Sequence, residues 1–396
     1  MTHADTRLAP HRRDLAARTE LLADGGNLVD HLGPDGTAWL DGPRGFATAG
    51  VAAIVEPSHA VAALRAIAYD DVATHPTTHG AIGPRAVGAL PFAGGGRMIV
   101  PARIVERDAD GLLWRTVIGP AMPDGLRAAS GSSTASSYTI SQVTDADAWE
   151  TNVSAVLALV DAGAVDKVVL AREVVIDASE PFDIGTIART LHATQPGCIV
   201  YVDDGFVGAS PELLVRRVGQ NVTARPMAGT GPRADELVQS TKDAREHHFV
   251  VEAVVDALAT VCDDVQAHDV RPVALTDLTH LATTITARVR DLDMSVLDLA
   301  LVLHPTPAVG GTPRSMALAT ISRLERSPRD LYGGPCGWVD ARGDGEFVVA
   351  LRGAQIDGAR ARLHAGAGIV AGSRSDAEWA ETRAKLEPML RALVRI

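Results

Sequence analysis

No apolar run in the 396-residue chain approaches the roughly 20 residues that a membrane-spanning helix requires. The longest, such as Val250 to Val255 and Leu297 to Leu303, are broken by Glu or Asp, so no transmembrane helix is predicted. Cysteine is scarce. Its three copies, Cys198, Cys262 and Cys336, lie far apart with no C-x-x-C spacing, which argues against a disulfide framework or a zinc knuckle and leaves buried thiols. The start of the chain, MTHADTRLAPHRRDLAART, has no apolar h-region, so a cytoplasmic protein is expected. Positive charge is also short: the formal net charge is −12, and no Lys/Arg stripe offers a surface for phosphate backbones, so nucleic acid is not expected as a partner. An anionic ligand would need local Arg and Lys groups or a bound cation to overcome that field. G-x-x-x-x-G-K-[ST] is absent, as is a repeat of 20–50 residues.

What is present reads as α+β. A hydrophobic content of 46% is enough for a large core. Residues 1–125 hold short apolar runs between Gly and Pro and read as strands and loops, and Ser130 to Ser137 reads as a polar loop. Asp145 or Asp147 caps a predicted helix with Trp149, Val153, Val156 and Val160 on one face. Asp166 to Ile176 is a predicted strand. It is followed by strands at 198–202, 206–210, 213–218 and 221–229, a long helix from Ala234 to Thr260, and a strand at 280–289. Two helices flank the HPTPAVGG loop. Strands punctuated by Gly-Asp-Gly and Asp-Gly turns then lead into a last helix from Asp376 to Val394.

Two acidic pairs share one spacing. Glu378 and Glu381 stand three apart with Lys385 four further on, and Asp243 and Glu246 repeat the offset, so each set shares a helix face. Such faces are usually solvated, but two of them opposed could surround a hard cation. The preceding GAGIVAG allows close approach of backbone or ligand, although tight turns explain most such glycines.

The order of segments is more specific than any one of them. DKVVLAR (166–172), GASPELL (208–214), RPMAGTGPR (225–233), EHHFVV (246–251), HLATTI (280–285), LHPTPAVGG (303–311), YGGPCGW (332–338), ALRGAQI (350–356), AGAGIV (365–370) and EWAETRAKL (378–386) follow one another over about 220 residues. This series resembles the chorismate-utilising family that includes isochorismate, salicylate, anthranilate and aminodeoxychorismate synthases. The resemblance implies a single catalytic domain over residues 1–396, with a variable part at 1–145 and the motif-bearing part at 146–396. Its fold would be two pseudo-related α/β halves, with stacked antiparallel sheets inside and helices outside. The substrate would be chorismate, the cofactor Mg²⁺, and the enzyme a monomer.

By the same resemblance Lys167 is the base that activates water for attack at C2, and Glu212 is the acid that protonates the departing C4 hydroxyl. A basic lysine must lose its proton far below about 10.4, and an acidic glutamate must keep its own above about 4.3; desolvation favours both. Glu246 and Glu381 are implied metal ligands, with Asp243 and Glu378 in the acidic shell and Lys385 offsetting charge. Arg352 would grip the enolpyruvyl carboxylate. Gly229, Thr230, His280, Tyr332, Gly366 and Gly368 would line the pocket, although His280 also suits a structural role and Tyr332 could simply pack. Ala228 stands where the family's aminodeoxychorismate synthases carry a nucleophilic lysine, and its amination enzymes as a rule lack a lysine equivalent to Lys167, so water is the expected nucleophile. The spellings HLATTI, HPTPAVGG and AGAGIV resemble isochorismate synthases more closely, so that is the expected activity, ahead of salicylate synthase or a silent chorismate-binding subunit.

Overall fold

The computed structural model describes residues 15–22, 26–70, 83–119, 135–231, 233–276 and 278–394. Its spine is an antiparallel pair, Lys167–Ala178 against Arg360–Val370, in register from Lys167↔Val370 to Asp177↔Arg360. Val168, Val169, Val174, Val175 and Ile176 supply the β-branched content that favours a strand buried on both faces. Strands spread from this pair in a continuous antiparallel network, while a smaller three-stranded sheet stands apart. The one parallel pairing among the described strands joins Ala16–Leu22 to Ala68–Asp70.

Helices cover the sheets. Ala146–Asp161 starts at Asp145, whose side chain accepts from the Ala148 amide, and lays Trp149, Val153 and Val156 on Leu170 and Ile369. Burying each such side chain fully is worth about 1.5–3 kcal/mol. Ser375–Leu393 packs beside that helix on the same face of the strand pair, placing Leu386 and Met389 in a core with Leu363 and Ala365 and setting Trp379 against Trp149. The largest core joins Trp39, Phe46 and Val87 to Val215, Phe347 and Val348, so strands from the early and late parts of the chain share one interior. The α+β class and the outer helices match the expectation. Ser130 to Thr134 of the expected polar loop lie outside the described residues.

Three expected elements are broken. The helix at 234–260 is two helices, Ala234–Gln239 and Thr241–Ala259, because Ser240 takes extended backbone and caps the second through the Asp243 amide. The strand at 221–229 divides at Pro226, which lacks an amide donor, into Asn221–Arg225 in the large sheet and Met227–Gly231 in the small one. The strand at 280–289 divides likewise into Thr279–Ala282 and Ile285–Val289, each pairing with one of those pieces. The chain crosses between sheets at both breaks, and the space between them is the candidate site.

Candidate active site

Gly366 and Gly368 lie mid-strand in Arg360–Val370, opposite Ala171 and Val169. They are glycine because side chains pass over them. A Cβ on Gly368 would collide with Glu246 Oε1 and stand 2.9 Å from Lys167 Cε; one on Gly366 would stand 3.1 Å from the Tyr332 hydroxyl. Gly229 has φ +73° and a Cβ there would meet Asp243 Cβ at 3.0 Å, so both conformation and space exclude a side chain.

A cleft of about 650 Å³ opens over these glycines. Ten of the fourteen expected residues line it: Glu212, Gly229, Thr230, Glu246, His280, Tyr332, Arg352, Gly366, Gly368 and Lys385. Lys167, fully enclosed, sits behind the lining with its Nζ 2.9 Å from Glu246 Oε1. Glu381 pairs with Lys385 at 2.6 Å, and Glu378, buried, pairs with Lys242 at 2.5 Å. The Asp243 carboxylate accepts from the Ser240 hydroxyl and, at 3.4 Å, from the Thr230 amide, so it holds the helix start and the Gly229 turn together at the edge of the cleft. A second cavity of about 700 Å³, at Trp39, Phe46 and Trp338, contains none of the expected residues, and the Arg85 guanidinium already lies over two of its rings at 4.7 and 4.6 Å.

Glu212 sits in the turn between Phe206–Ser210 and Leu213–Val218, 3% exposed. Burial pushes its carboxyl up to about 7, against the opposing pull of the Met227 amide and of Lys167, Lys385 and Arg225. It can therefore hold a proton near neutrality. Glu246 is displaced the other way: burial opposes its charge, but Lys167, Lys385 and Lys242 together hold it below the usual carboxylate range. On Glu378, burial and then repulsion from Glu381 outweigh Lys242 and raise the pKa.

His280 joins two elements of the site. Arg352 Nη2 donates to His280 Nε2 at 2.9 Å, and Thr230 Oγ1 lies 3.0 Å from Nδ1. Since a guanidinium only donates, Nε2 must be the acceptor and the ring proton belongs on Nδ1. Burial first, then Arg352 and Lys385, hold this imidazole well below its ordinary pKa, so it stays neutral. Arg352 is not the ordinary strand arginine its apolar neighbours suggest: it lies at a break between Gly345–Val349 and Gly353–Asp357 with φ +53°. Left-handed backbone at a non-glycine residue is uncommon and costs about 1–2 kcal/mol.

Sequence reasoning missed His364 and an apolar wall that includes Val169, Val309 and Leu351. His364 stacks on Tyr332 with ring centroids 5.3 Å apart, is lowered to about 4 by burial despite Glu173, and leaves Nε2 without a hydrogen-bond partner. The available signal was alternation, because residues 364, 366 and 368 share one strand face.

Among the described residues no three His, Cys, Asp or Glu side chains form a ready-made metal cage. Glu378 nevertheless holds the Lys242 ammonium at 2.5 Å, and Glu246 and Glu381 also act on that charge, so positive charge already sits beside these acids. An all-oxygen donor set that leaves room for water and substrate fits a hard cation such as magnesium, which seldom takes a complete protein cage.

Known proteins are similar to this chain in sequence and fold. Isochorismate synthase DhbC of Bacillus subtilis is 33% identical over 334 residues, covering 78% of this chain and 81% of that protein. The structure of the DhbC protein of Bacillus anthracis aligns with a TM-score of 0.77 at 30% identity, over 92% of this chain and 98% of that one. MenF, the menaquinone-specific isochorismate synthase of Escherichia coli, aligns with a TM-score of 0.80 over 98% of this chain and 97% of its own, and at 23% identity it speaks to the fold alone. Residues 123–394 match the model of the chorismate binding enzymes, and the chain belongs to that family.

Proposed function

We propose that the protein is an isochorismate synthase, converting chorismate to isochorismate with Lys167 as base and Glu212 as acid. The observation that carries this reading is Glu212, a buried carboxyl titrating at about 7 on the same cleft as Glu246, whose partner is Lys167. A general acid needs a pKa near the working pH, and this environment supplies it.

The substrate is a dicarboxylate, and the cleft offers cationic groups at two points, Arg352 and Lys385. Arg352, its second nitrogen fixed by His280, presents its fork to the enolpyruvyl carboxylate. A magnesium ion, held by Glu246 and Glu381 with Glu378 beside them, would supply positive charge to the ring carboxylate. Lys167 takes a proton from water as the oxygen bonds to C2. The ring double bonds shift, the C4–oxygen bond breaks, and Glu212 gives its proton to the leaving hydroxyl on the opposite face. One water is consumed and one released, so the change is an isomerisation.

Ala228 lines the cleft with a methyl group where an aminodeoxychorismate synthase would carry its nucleophilic lysine, and the presence of Lys167 favours water as nucleophile over ammonia. The relatives' names support the same product. The test is chromatographic analysis after incubation with chorismate and Mg²⁺. Isochorismate alone is the expected product; salicylate with pyruvate would replace the proposal by a salicylate synthase, and unchanged but bound chorismate by a binding subunit.

A further inference from the structure

Each acid of the carboxylate trio is matched by a lysine: Glu246 by Lys167, Glu381 by Lys385 and Glu378 by Lys242. Each acid of the trio therefore already has an amine partner at salt-bridge distance. Two of these lysines are committed elsewhere. Lys167 is fully enclosed, and Lys385 also donates to the Gly366 carbonyl at 2.9 Å.

Lys242 differs from both. It lies outside the cleft lining, its side chain is 31% exposed, and it is the second residue of Thr241–Ala259, where the positive end of a helix disfavours an ammonium. Its Nζ is nevertheless held 2.5 Å from the buried carboxylate of Glu378. The acids therefore retain a cation that its own helix repels and that has a path to solvent.

We propose that Lys242 is the resident counter-ion of the Glu246, Glu378 and Glu381 trio, competing with the divalent cation for these oxygens and swinging into solvent when the cation enters. This rests on the cation reading above. It makes Lys242 a determinant of cation affinity with no part in the proton transfers, and it explains why so acidic a region shows no preformed cage.

The test is Mn²⁺ binding in the absence of substrate at pH 8, followed by the electron paramagnetic resonance of the free ion. Lys242→Met, which keeps the apolar stem and removes the charge, should bind Mn²⁺ about tenfold more tightly, the scale expected for removing one nearby, partly screened positive charge. Lys242→Arg should bind like the wild type, and Glu381→Gln more weakly. Unchanged or weaker binding by Lys242→Met, with Glu381→Gln still weakened, overturns the role of Lys242 and leaves the cation site standing. Binding that ignores Glu381→Gln overturns the cation site, and the proposal with it. The wild type gives an independent check: in crystals soaked with Mn²⁺, Lys242 Nζ should have left Glu378, and a retained bond would refute the competition.

Discussion

Replacing Glu212 with Gln should abolish turnover and make the protein more stable at alkaline pH. Glu212 is 3% exposed, and burial raises its carboxyl from 4.5 to about 7. A carboxyl whose pKa is raised by folding costs nothing below 4.5, where both states are protonated. Between 4.5 and about 7 the unfolded chain ionises while the folded one does not, so stability falls as pH rises, and above about 7 the full cost is present. The gap between 4.5 and about 7, at about 1.36 kcal/mol per pH unit, amounts to about 3 kcal/mol. Gln has nearly the same shape, keeps an oxygen to accept from the Met227 amide, and never ionises. Urea unfolding should therefore show Glu212→Gln about 3 kcal/mol more stable than wild type at pH 8, with a difference below about 1 kcal/mol at pH 5. The variant should form no isochorismate, because an amide cannot give up the proton that the leaving hydroxyl needs. In the wild type kcat/KM should decline above pH 7 on the same titration. A stability difference that does not change with pH would show that Glu212 is not a strained acid and would refute the reasoning.

The site was legible in the sequence where local pattern and motif order coincide. β-Branched content marked the strand from Lys167, and i, i+3 spacing placed Glu378 and Glu381 on one helix face, as the structure has them. What could not be read was partner choice across elements. Lys242 pairs with Glu378 from a helix 136 residues away, and nothing local in either segment specifies this. The stop at Ser240 was readable in principle, since Ser240 and Asp243 stand at cap spacing, but helical sequence on both sides hid it. The cap contacts of Asp243, to Ser240 and to the Thr230 amide, were hidden in the same way behind its i, i+3 offset to Glu246. Arg352 shows the opposite failure. Its left-handed backbone contradicts the strand preference of its neighbours, and only the fold around it imposes that conformation.

Lys167→Ala should reduce turnover at least about a thousandfold while chorismate binding, followed by calorimetry, changes little; near-normal turnover would remove the lysine from the mechanism. Gly368→Ala should be nearly inactive and poorly responsive to Mg²⁺, because its methyl would displace Glu246 and press on Lys167 Cε, 2.9 Å away; normal kinetics would show that the glycine does not set this packing. Glu381→Gln should shift the Mg²⁺ activation curve to higher concentration at saturating chorismate, and an unmoved midpoint would exclude it as a ligand. Arg352→Lys discriminates most sharply between charge and shape. Both residues bear one positive charge and neither relieves the φ of +53°, so backbone cost and net field are held constant. What changes is the planar fork, one nitrogen of which is fixed by His280 at 2.9 Å. If that fork grips a carboxylate, the lysine variant loses a bidentate contact made to substrate and transition state alike, and KM should rise about tenfold or more with kcat much less affected. If kcat falls and KM holds, Arg352 acts on the transition state instead, and the enolpyruvyl carboxylate must be held elsewhere in the cleft.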